Sequence, residues 1–147
     1  MGKITDFFDI RELVCREVYN KHKEGAWAFL DPSLLENLLY IRQTLNKAVW
    51  VNSWMVGGKY SQRGLRCNLC SLVAEKTKKG ALYVSAHIHG KAVDFDVAGM
   101  TASEVRKWVL AHSSLLPHPC RLEDGVSWVH MDMRNTDEVT RVKLFKA

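Results

Sequence analysis

The sequence lacks the features that mark fibrous, disordered and membrane-spanning chains. It holds three prolines and nine glycines in 147 residues, with no internal repeat, low-complexity tract or linker rich in Pro, Gly and Ser. No apolar run approaches the ~20 residues needed to cross a bilayer, and the first nine residues carry acids where a signal peptide carries an unbroken apolar stretch. With 47 % hydrophobic residues, the chain is expected to form one soluble globular domain over 1–147, synthesised in the cytoplasm.

The net charge of the chain predicts an anionic partner. Lys and Arg number 21 against 16 for Asp and Glu, a balance of +5, and nucleic acid, a membrane surface and a bacterial wall are all anionic. The basic residues are scattered, and the densest cluster is Lys76-Thr-Lys78-Lys79. Nucleic-acid binders usually concentrate charge on one element with interleaved aromatics. No nucleic-acid partner is therefore expected, and a small basic nucleic-acid binder is the less favoured alternative.

The four cysteines are expected to be free thiols. A chain of this size does not need disulfides, and no export signal is visible. Cys67-Asn-Leu-Cys70 has the spacing of half a zinc knuckle or of a redox pair, but no second pair follows at the usual distance. We interpret these two cysteines as small apolar residues on one face of a helix.

Capping signals and apolar spacing predict four helices. They begin at the Asp9–Glu12 capping box, at Asp31-Pro32-Ser33 with an end near Lys47, at Leu65 with an end at Lys79-Gly80, and at Thr101 with an end before Pro117. Five segments enriched in β-branched and aromatic residues predict strands over 49–54, 81–85, 91–97, 126–134 and 139–145. The short polar loop between the last two predicts a hairpin. The expected class is α+β, with a mostly antiparallel or mixed sheet and helices packed on one face.

Alternation within two of these strands predicts a polar face on the sheet. Over 91–97, Asp94 and Asp96 point away from the apolar residues of the strand, and over 126–134 the same rule groups Trp128, His130 and Asp132. A face with a histidine, carboxylates and a large aromatic ring is a candidate site, because a core strand would carry apolar residues there.

Two histidines, His87 and His89, precede the first of these strands. Zinc hydrolases use three ligands of His and carboxylate type and leave a fourth position for water. His87, Asp94 and His130 would supply such a set. Spacing alone does not choose between His87 with Asp94 and His89 with Asp96, because both pairs are seven positions apart.

Three segments carry a resemblance to a known family. The segment SAHIHGKAVD (85–94) fits the pattern Ser-x-His-x-x-Gly-x-Ala-x-Asp, WVHMD (128–132) resembles a closing Trp-Val-His segment, and SQRGLRCN (61–68) is similar to an upstream Arg-x-x-x-x-Asn segment. In this order and approximate spacing they resemble the D-alanyl-D-alanine carboxypeptidase-like zinc peptidases, which share a metal-binding fold with hedgehog and lysostaphin-type enzymes.

The resemblance implies that His87, Asp94 and His130 bind Zn²⁺. Arg63 would hold a substrate carboxylate or the developing oxyanion. The residues expected around the metal or against the substrate are Ser85, which would orient the His87 loop or Asp94, together with Asp96 and Trp128.

The general base departs from the family pattern. Relatives commonly place Asp or Glu three positions before the last zinc histidine, where this chain has Ser127. Glu123, seven positions upstream of His130, is the first choice, because other members carry a Glu about six positions upstream and a longer turn absorbs the difference. Asp132 shares a face with His130 and is the second choice. The remaining alternatives are Asp124, Asp96 and no base at all.

The resemblance implies a monomeric zinc peptidase that cleaves a peptide bond in the bacterial peptidoglycan stem or cross-bridge, as a carboxypeptidase or an endopeptidase. Without an export signal, action on the wall requires release, for example through a phage or prophage membrane pore. The alternative, favoured by Ser127, is a non-catalytic metal-containing binding module of the same fold. An open fourth metal position near Glu123 or Asp132 would favour the enzyme, and a closed site that includes His89 would favour the module.

Overall fold

Most helical residues lie in the first half of the chain and most strand residues lie in the second half, as the sequence predicts. The computed structural model describes residues 2–147. The α-helices are α1 (Arg16–His22), α2 (Pro32–Leu45), α3 (Ser71–Lys78) and α4 (Ala102–Ala111), and the strands are β1 (Val49–Trp50), β2 (Ala92–Val97), β3 (Cys120–Glu123), β4 (Val129–Asp132) and β5 (Val142–Phe145). Short 3₁₀ helices span Ile4–Asp6, Ile10–Glu12, Lys23–Phe29, Trp54–Val56 and Ala86–His89. The α+β class is confirmed.

The five strands form one mixed sheet in the order β1-β2-β4-β3-β5. Every pairing is antiparallel except the parallel pair of β3 and β5. The predicted hairpin of the last two strands is wrong, because β3, which was not among the predicted strands, lies between β4 and β5. Arg141 donates hydrogen bonds to the carbonyls of Ser113 and Leu116, at 2.9 and 2.5 Å. These bonds tie the start of β5 to the segment that follows α4, and β5 pairs with β3 in parallel.

The core lies between one face of the sheet and the helices α2 and α4. Its members include Val93 and Phe95 of β2, Val129 and Met131 of β4, Leu38 and Ile41 of α2, and Val105 and Val109 of α4. Full burial of a side chain such as Phe95 stabilises the fold by about 1.5–3 kcal/mol. A one-residue slip of β2 would turn Phe95 outward, so core burial fixes which residues occupy the opposite, polar face.

The helix predicted from Asp9 is interrupted. Asp9 and Glu12 form the predicted capping box, but it closes only a 3₁₀ turn. Val14 then forms a parallel β-bridge with Leu65. This long-range pairing overrides the local helical spacing and delays α1 to Arg16.

The other helix boundaries follow their caps. Asp31 accepts from the backbone of Ser33 at the start of α2, and Thr101 accepts from that of Glu104 at the start of α4. Helix α3 begins at Ser71 rather than near Leu65. Two sequence interpretations are corrected here: the cysteines at 67 and 70 precede α3 instead of lying on one helix face, and 81–85 contains no strand.

The strand over 81–85 is predicted from the β-branched and aromatic residues of that segment. Leu82 and Val84 are exposed, so their apolar character does not report burial in a sheet. Strand β1 is also shorter than predicted, because a 3₁₀ turn begins at Trp54. No helix in residues 2–147 is long and apolar enough to span a membrane.

Candidate metal centre

The pairing of β2 with β4 brings the predicted ligands together. In this antiparallel pair Asp94 is opposite His130 and Ala92 is opposite Asp132. Both polar side chains of each strand therefore project from the face opposite the core, as the alternation predicts. The third residue, His87, lies in the 3₁₀ turn Ala86–His89 immediately before β2.

Two small features shape the turn that carries His87. The Ser85 hydroxyl accepts a hydrogen bond from the His87 backbone N–H at 3.2 Å, so Ser85 caps the turn. Gly90 ends it with φ of +68°, and a Cβ at this position would lie 1.9 Å from the carbonyl oxygen of Phe29. Glycine is required here because the backbone is left-handed and closely packed.

His87, Asp94 and His130 converge on one point. Each offers a potential ligand atom, and these atoms all lie within 4.8 Å of one another. Asp94 Oδ1 is 2.7 Å from His130 Nδ1, and Asp94 Oδ2 is 3.3 Å from His87 Nε2. His89 instead lines a separate cavity beside Phe29. The geometry thus selects His87 with Asp94, which spacing alone left open.

Hydrogen bonds behind the two histidines orient their rings. His87 Nδ1 lies 2.8 Å from the carbonyl oxygen of Gly64, which places the proton on Nδ1 and leaves Nε2 as the free donor atom. His130 Nε2 lies 2.8 Å from Asp132 Oδ2, which leaves Nδ1 facing Asp94. Arg121 donates two hydrogen bonds, of 2.8 and 2.9 Å, to the Asp132 carboxylate. Metal-ligating histidines typically make such a hydrogen bond through the ring nitrogen that does not face the metal, so the residues fit a divalent metal.

The charges of the cluster also fit a cation. Burial acts to lower the pKa of His130, but its bonds to Asp132 and Asp94 outweigh burial and raise that pKa to about 9. Burial acts to raise the pKa of Asp132, but the bonds from His130 and Arg121 lower it to about 2. The pKa of Asp94 is also lowered, since bonds from both histidines outweigh its burial. A divalent ion between Asp94 and His130 would replace the imidazolium proton.

Two cavities meet at the cluster. One, of about 300 Å³, is lined by all three candidate ligands and also by Glu123, Arg66 and Trp128. The second, of about 470 Å³, is lined by Arg63, Asp96 and Ser127 among others. Both include Arg66, Asp94 and Trp128. The two cavities therefore adjoin, with Asp94 and the exposed Trp128 between them.

The predicted bases occupy different environments. Glu123, at the end of β3, lines the metal-side cavity, and its carboxylate has no hydrogen-bond or ion-pair partner within residues 2–147. Asp132 is 1 % exposed, and both of its oxygens are engaged by Arg121 and His130. Asp124 faces Arg106 at 3.7 Å. Among these carboxylates, Glu123 is the one in the cavity without a cationic partner.

The two arginines of segment 61–68 also differ. Arg63 is buried, pairs with Asp96 at 2.9 Å and stacks over the ring of Tyr60. Arg66 donates to the Tyr83 hydroxyl at 2.5 Å and lies 3.4 Å from Asp94 Oδ2.

Sequence reasoning singled out Arg63 and missed both Arg66 and Arg121. Arg66 stands in the same motif-like segment, but an irregular segment has no periodicity that shows which side chain faces the site. Arg121 was missed because β3, from which it reaches Asp132, was not predicted.

No protein-family model, curated protein or solved structure matches the chain. The family resemblance of segments 61–68, 85–94 and 128–132 therefore stays a prediction. What the structure provides is a candidate metal-ligand group at the junction of two cavities.

Proposed function

We propose that the chain is a zinc-dependent peptidase and that His87, Asp94 and His130 hold its metal. The observation that carries this proposal is the pair of outer hydrogen bonds, from His87 to Gly64 and from His130 to Asp132, which leave one free ring nitrogen of each histidine facing Asp94. Two histidine nitrogens and one carboxylate oxygen suit Zn²⁺ and leave its fourth position open.

Glu123 is the proposed general base. A bound zinc ion would polarise the peptide carbonyl and lower the pKa of a water molecule to about 7. Glu123 lines the same cavity and has no cationic partner within the described part of the chain, so it is free to take the proton of the attacking water. The same carboxyl group would then deliver that proton to the leaving amine nitrogen.

The adjoining cavity is the proposed binding site for the peptide. Arg66 lines both cavities and supplies a guanidinium for a carboxylate or developing oxyanion. We favour Arg66 over Arg63 for this role, because Arg66 lines both cavities and lies 3.4 Å from Asp94, whereas Arg63 lines only the larger one. Trp128 offers an apolar surface at the junction, and the net charge of +5 suits an anionic wall polymer. A peptide of the peptidoglycan stem or cross-bridge is the proposed substrate.

A non-catalytic metal-containing module is the alternative, and one observation favours it. Ser127, at the position where relatives carry an acidic residue, lines the substrate-side cavity and supplies no carboxylate. The position of His89 in a separate cavity supports the enzyme instead, because it leaves three protein ligands rather than four.

Digestion of peptidoglycan sacculi tests the proposal. The purified protein is incubated with sacculi alone, with a chelator, and with chelator followed by zinc, and released fragments are identified by mass spectrometry. We expect peptide fragments that disappear with the chelator and return with zinc. The His130→Asn variant should release none, whereas the matched His89→Asn variant should retain activity. A folded, zinc-loaded wild type that releases nothing from several wall chemotypes would favour the non-catalytic module.

A further inference from the structure

A second group of potential metal ligands lies outside the proposed active site. Cys15, Glu17, Cys67 and Cys70 each offer one ligand atom, and these four atoms all lie within 4.8 Å of one another. Cys15 and Cys70 are buried, Cys67 is partly buried and Glu17 is exposed. We refer to these four residues as the thiol cluster.

Backbone hydrogen bonds bring the thiol cluster together from two distant segments. The Cys15 N–H donates to the Leu65 carbonyl at 3.1 Å, and the Leu65 N–H donates to the Leu13 carbonyl at 2.9 Å. These bonds frame the parallel bridge of Val14 with Leu65. Cys15 is thereby held beside the Cys-x-x-Cys turn.

Two hydrogen bonds between Cys67 and Cys70 close the Cys-x-x-Cys turn. The Cys70 N–H donates to the Cys67 carbonyl at 3.1 Å, and the Cys67 N–H donates to Cys70 Sγ at 3.4 Å. Cys70 also forms the N-cap of α3, which lets that helix follow directly from the turn. The sulfur atoms of Cys67 and Cys70 both lie within 4.8 Å of Cys15 Sγ.

Ordinary burial of cysteine does not account for this arrangement. A free cysteine is commonly buried as a small hydrophobe. Cys120 is an example, because it is buried among apolar residues of the main core, whose described residues include no other cysteine. The other three cysteines instead share a small separate cluster with Val73, and a carboxylate stands at its surface. Three sulfurs and one oxygen around a common point match the number and kind of ligands of a closed tetrahedral zinc site.

We propose that Cys15, Cys67 and Cys70 bind a structural Zn²⁺ ion as thiolates, with the Glu17 carboxylate as fourth ligand. Thiolates favour zinc over hard cations such as Mg²⁺ and Ca²⁺. The ion would join α1 to the segment that leads into α3. This site is separate from the proposed peptidase chemistry and does not depend on it.

The structural zinc would also steady the proposed active site. Segment 63–67 contacts that site through its backbone: the Arg66 N–H donates to the His87 carbonyl at 3.2 Å, the Gly64 carbonyl accepts from His87, and the Arg63 carbonyl accepts from the Asp94 N–H. Cys67 follows Arg66 directly in the chain. Fixing Cys67 to Cys15 therefore restrains the segment that positions Arg66 and two of the proposed catalytic-metal ligands.

Zinc stoichiometry of the full chain tests this proposal. After purification under reducing conditions with zinc present, we expect two zinc ions per wild-type chain, one in Cys67→Ser and one in His130→Asn. The matched control Cys120→Ala removes a thiol outside the thiol cluster and should keep both ions. If only the histidine site fails to bind zinc, wild type and His130→Asn each hold one ion and Cys67→Ser holds none. Equal zinc content in wild type and Cys67→Ser overturns the structural site.

X-ray absorption at the zinc edge identifies the ligands. In His130→Asn, we expect sulfur neighbours at about 2.3 Å from zinc, and a spectrum without sulfur scattering overturns the proposal. The intact mass of the protein is also measured after denaturation without reductant. A loss of two hydrogens to a disulfide within the thiol cluster overturns the proposal.

Thiol modification covers the case in which Cys67→Ser fails to fold. An organomercurial added to His130→Asn should release its zinc in step with the loss of free thiols. Zinc that stays bound after all thiols are modified contradicts thiolate ligation.

Discussion

His130 is held between two carboxylates, and its proton should govern how the stability of the metal-free protein varies with pH. Its pKa rises from 6.5 to about 9, so its contribution is fully present below pH 6.5 and is lost as the pH rises through 9. The pKa of Asp132 falls from 3.8 to about 2, so its contribution is present above pH 3.8 and is lost as the pH falls through 2. Together these two groups favour the folded state most between pH 3.8 and 6.5.

Urea unfolding in the presence of a chelator measures this dependence. The free energy of unfolding of wild type should fall between pH 6.5 and 9 relative to that of His130→Gln, which lacks the titrating imidazole. If the difference in unfolding free energy between the two proteins stays constant across this range, the interpretation that His130 is charged in the metal-free protein is wrong.

Asp132 positions His130 and should therefore tune metal affinity. The Asp132→Asn substitution weakens the hydrogen bond to His130 Nε2 and the grip of Arg121. We expect zinc affinity at the histidine site to fall about 10- to 100-fold, the usual effect of removing such an outer partner. Competition with a chromogenic chelator measures it, and Asp124→Asn, whose carboxylate faces Arg106, serves as the matched control. Equal affinity in both variants would speak against a positioning role.

Glu123 is the proposed general base. The Glu123→Gln substitution keeps the size of the side chain and removes the basic oxygen, so zinc content should be unchanged while kcat on wall peptides falls about 100- to 10,000-fold. Asp124→Asn, one residue along the chain, should leave kcat near that of wild type. A Glu123→Gln enzyme as fast as wild type would require another base.

The turn that carries His87 depends on Gly90. Gly90 and Gly125 both have positive φ, +68° and +80°, but only a Cβ at Gly90 would collide with a neighbour, the Phe29 carbonyl. Gly125→Ala should lower the free energy of unfolding by about 1–2 kcal/mol, the usual left-handed penalty. Gly90→Ala should lower it by more, because the backbone must also shift. Urea unfolding of the two variants makes the comparison, and equal losses would contradict the close packing of this turn.

Local patterns predicted the elements that depend on local contacts. The caps at Asp31 and Thr101 mark the starts of α2 and α4, because a side chain and a backbone amide two or three residues apart decide them. The helix expected from Asp9 fails where Val14 pairs with Leu65. The hairpin fails because β3 intervenes between β4 and β5. Both errors come from pairings between distant segments, which a local pattern does not contain.

In the candidate site, too, local patterns predicted some features, and others depend on the tertiary fold. Alternation placed Asp94 and His130 on the polar face, and both side chains lie there in contact with each other. The choice of His87 over His89 was left open by spacing and is made by the structure, through the turn before β2. Arg121 and the pairing of Cys15 with the Cys-x-x-Cys turn required the tertiary fold, since each depends on chain segments far apart in sequence.

The two faces of the sheet differ across the whole molecule: one packs against the core and the other is polar. One face is fixed by burial of residues such as Phe95 and Val129 against α2 and α4. The other carries the candidate ligand group, with the cavities on either side of Asp94. Because the ligands come from β2, β4 and the turn before β2, the packed core sets their spacing before any metal binds. We infer that the three residues form a preorganised metal site.

A crystal structure of the zinc-loaded protein, with anomalous diffraction recorded at the zinc edge, tests whether this metal site exists. We predict an anomalous peak bound by His87 Nε2, an Asp94 carboxylate oxygen and His130 Nδ1, each about 2.0–2.2 Å from the metal, with a water molecule as the fourth ligand. An absence of zinc between these three residues, or a fourth ligand contributed by the protein, would contradict an open catalytic metal centre.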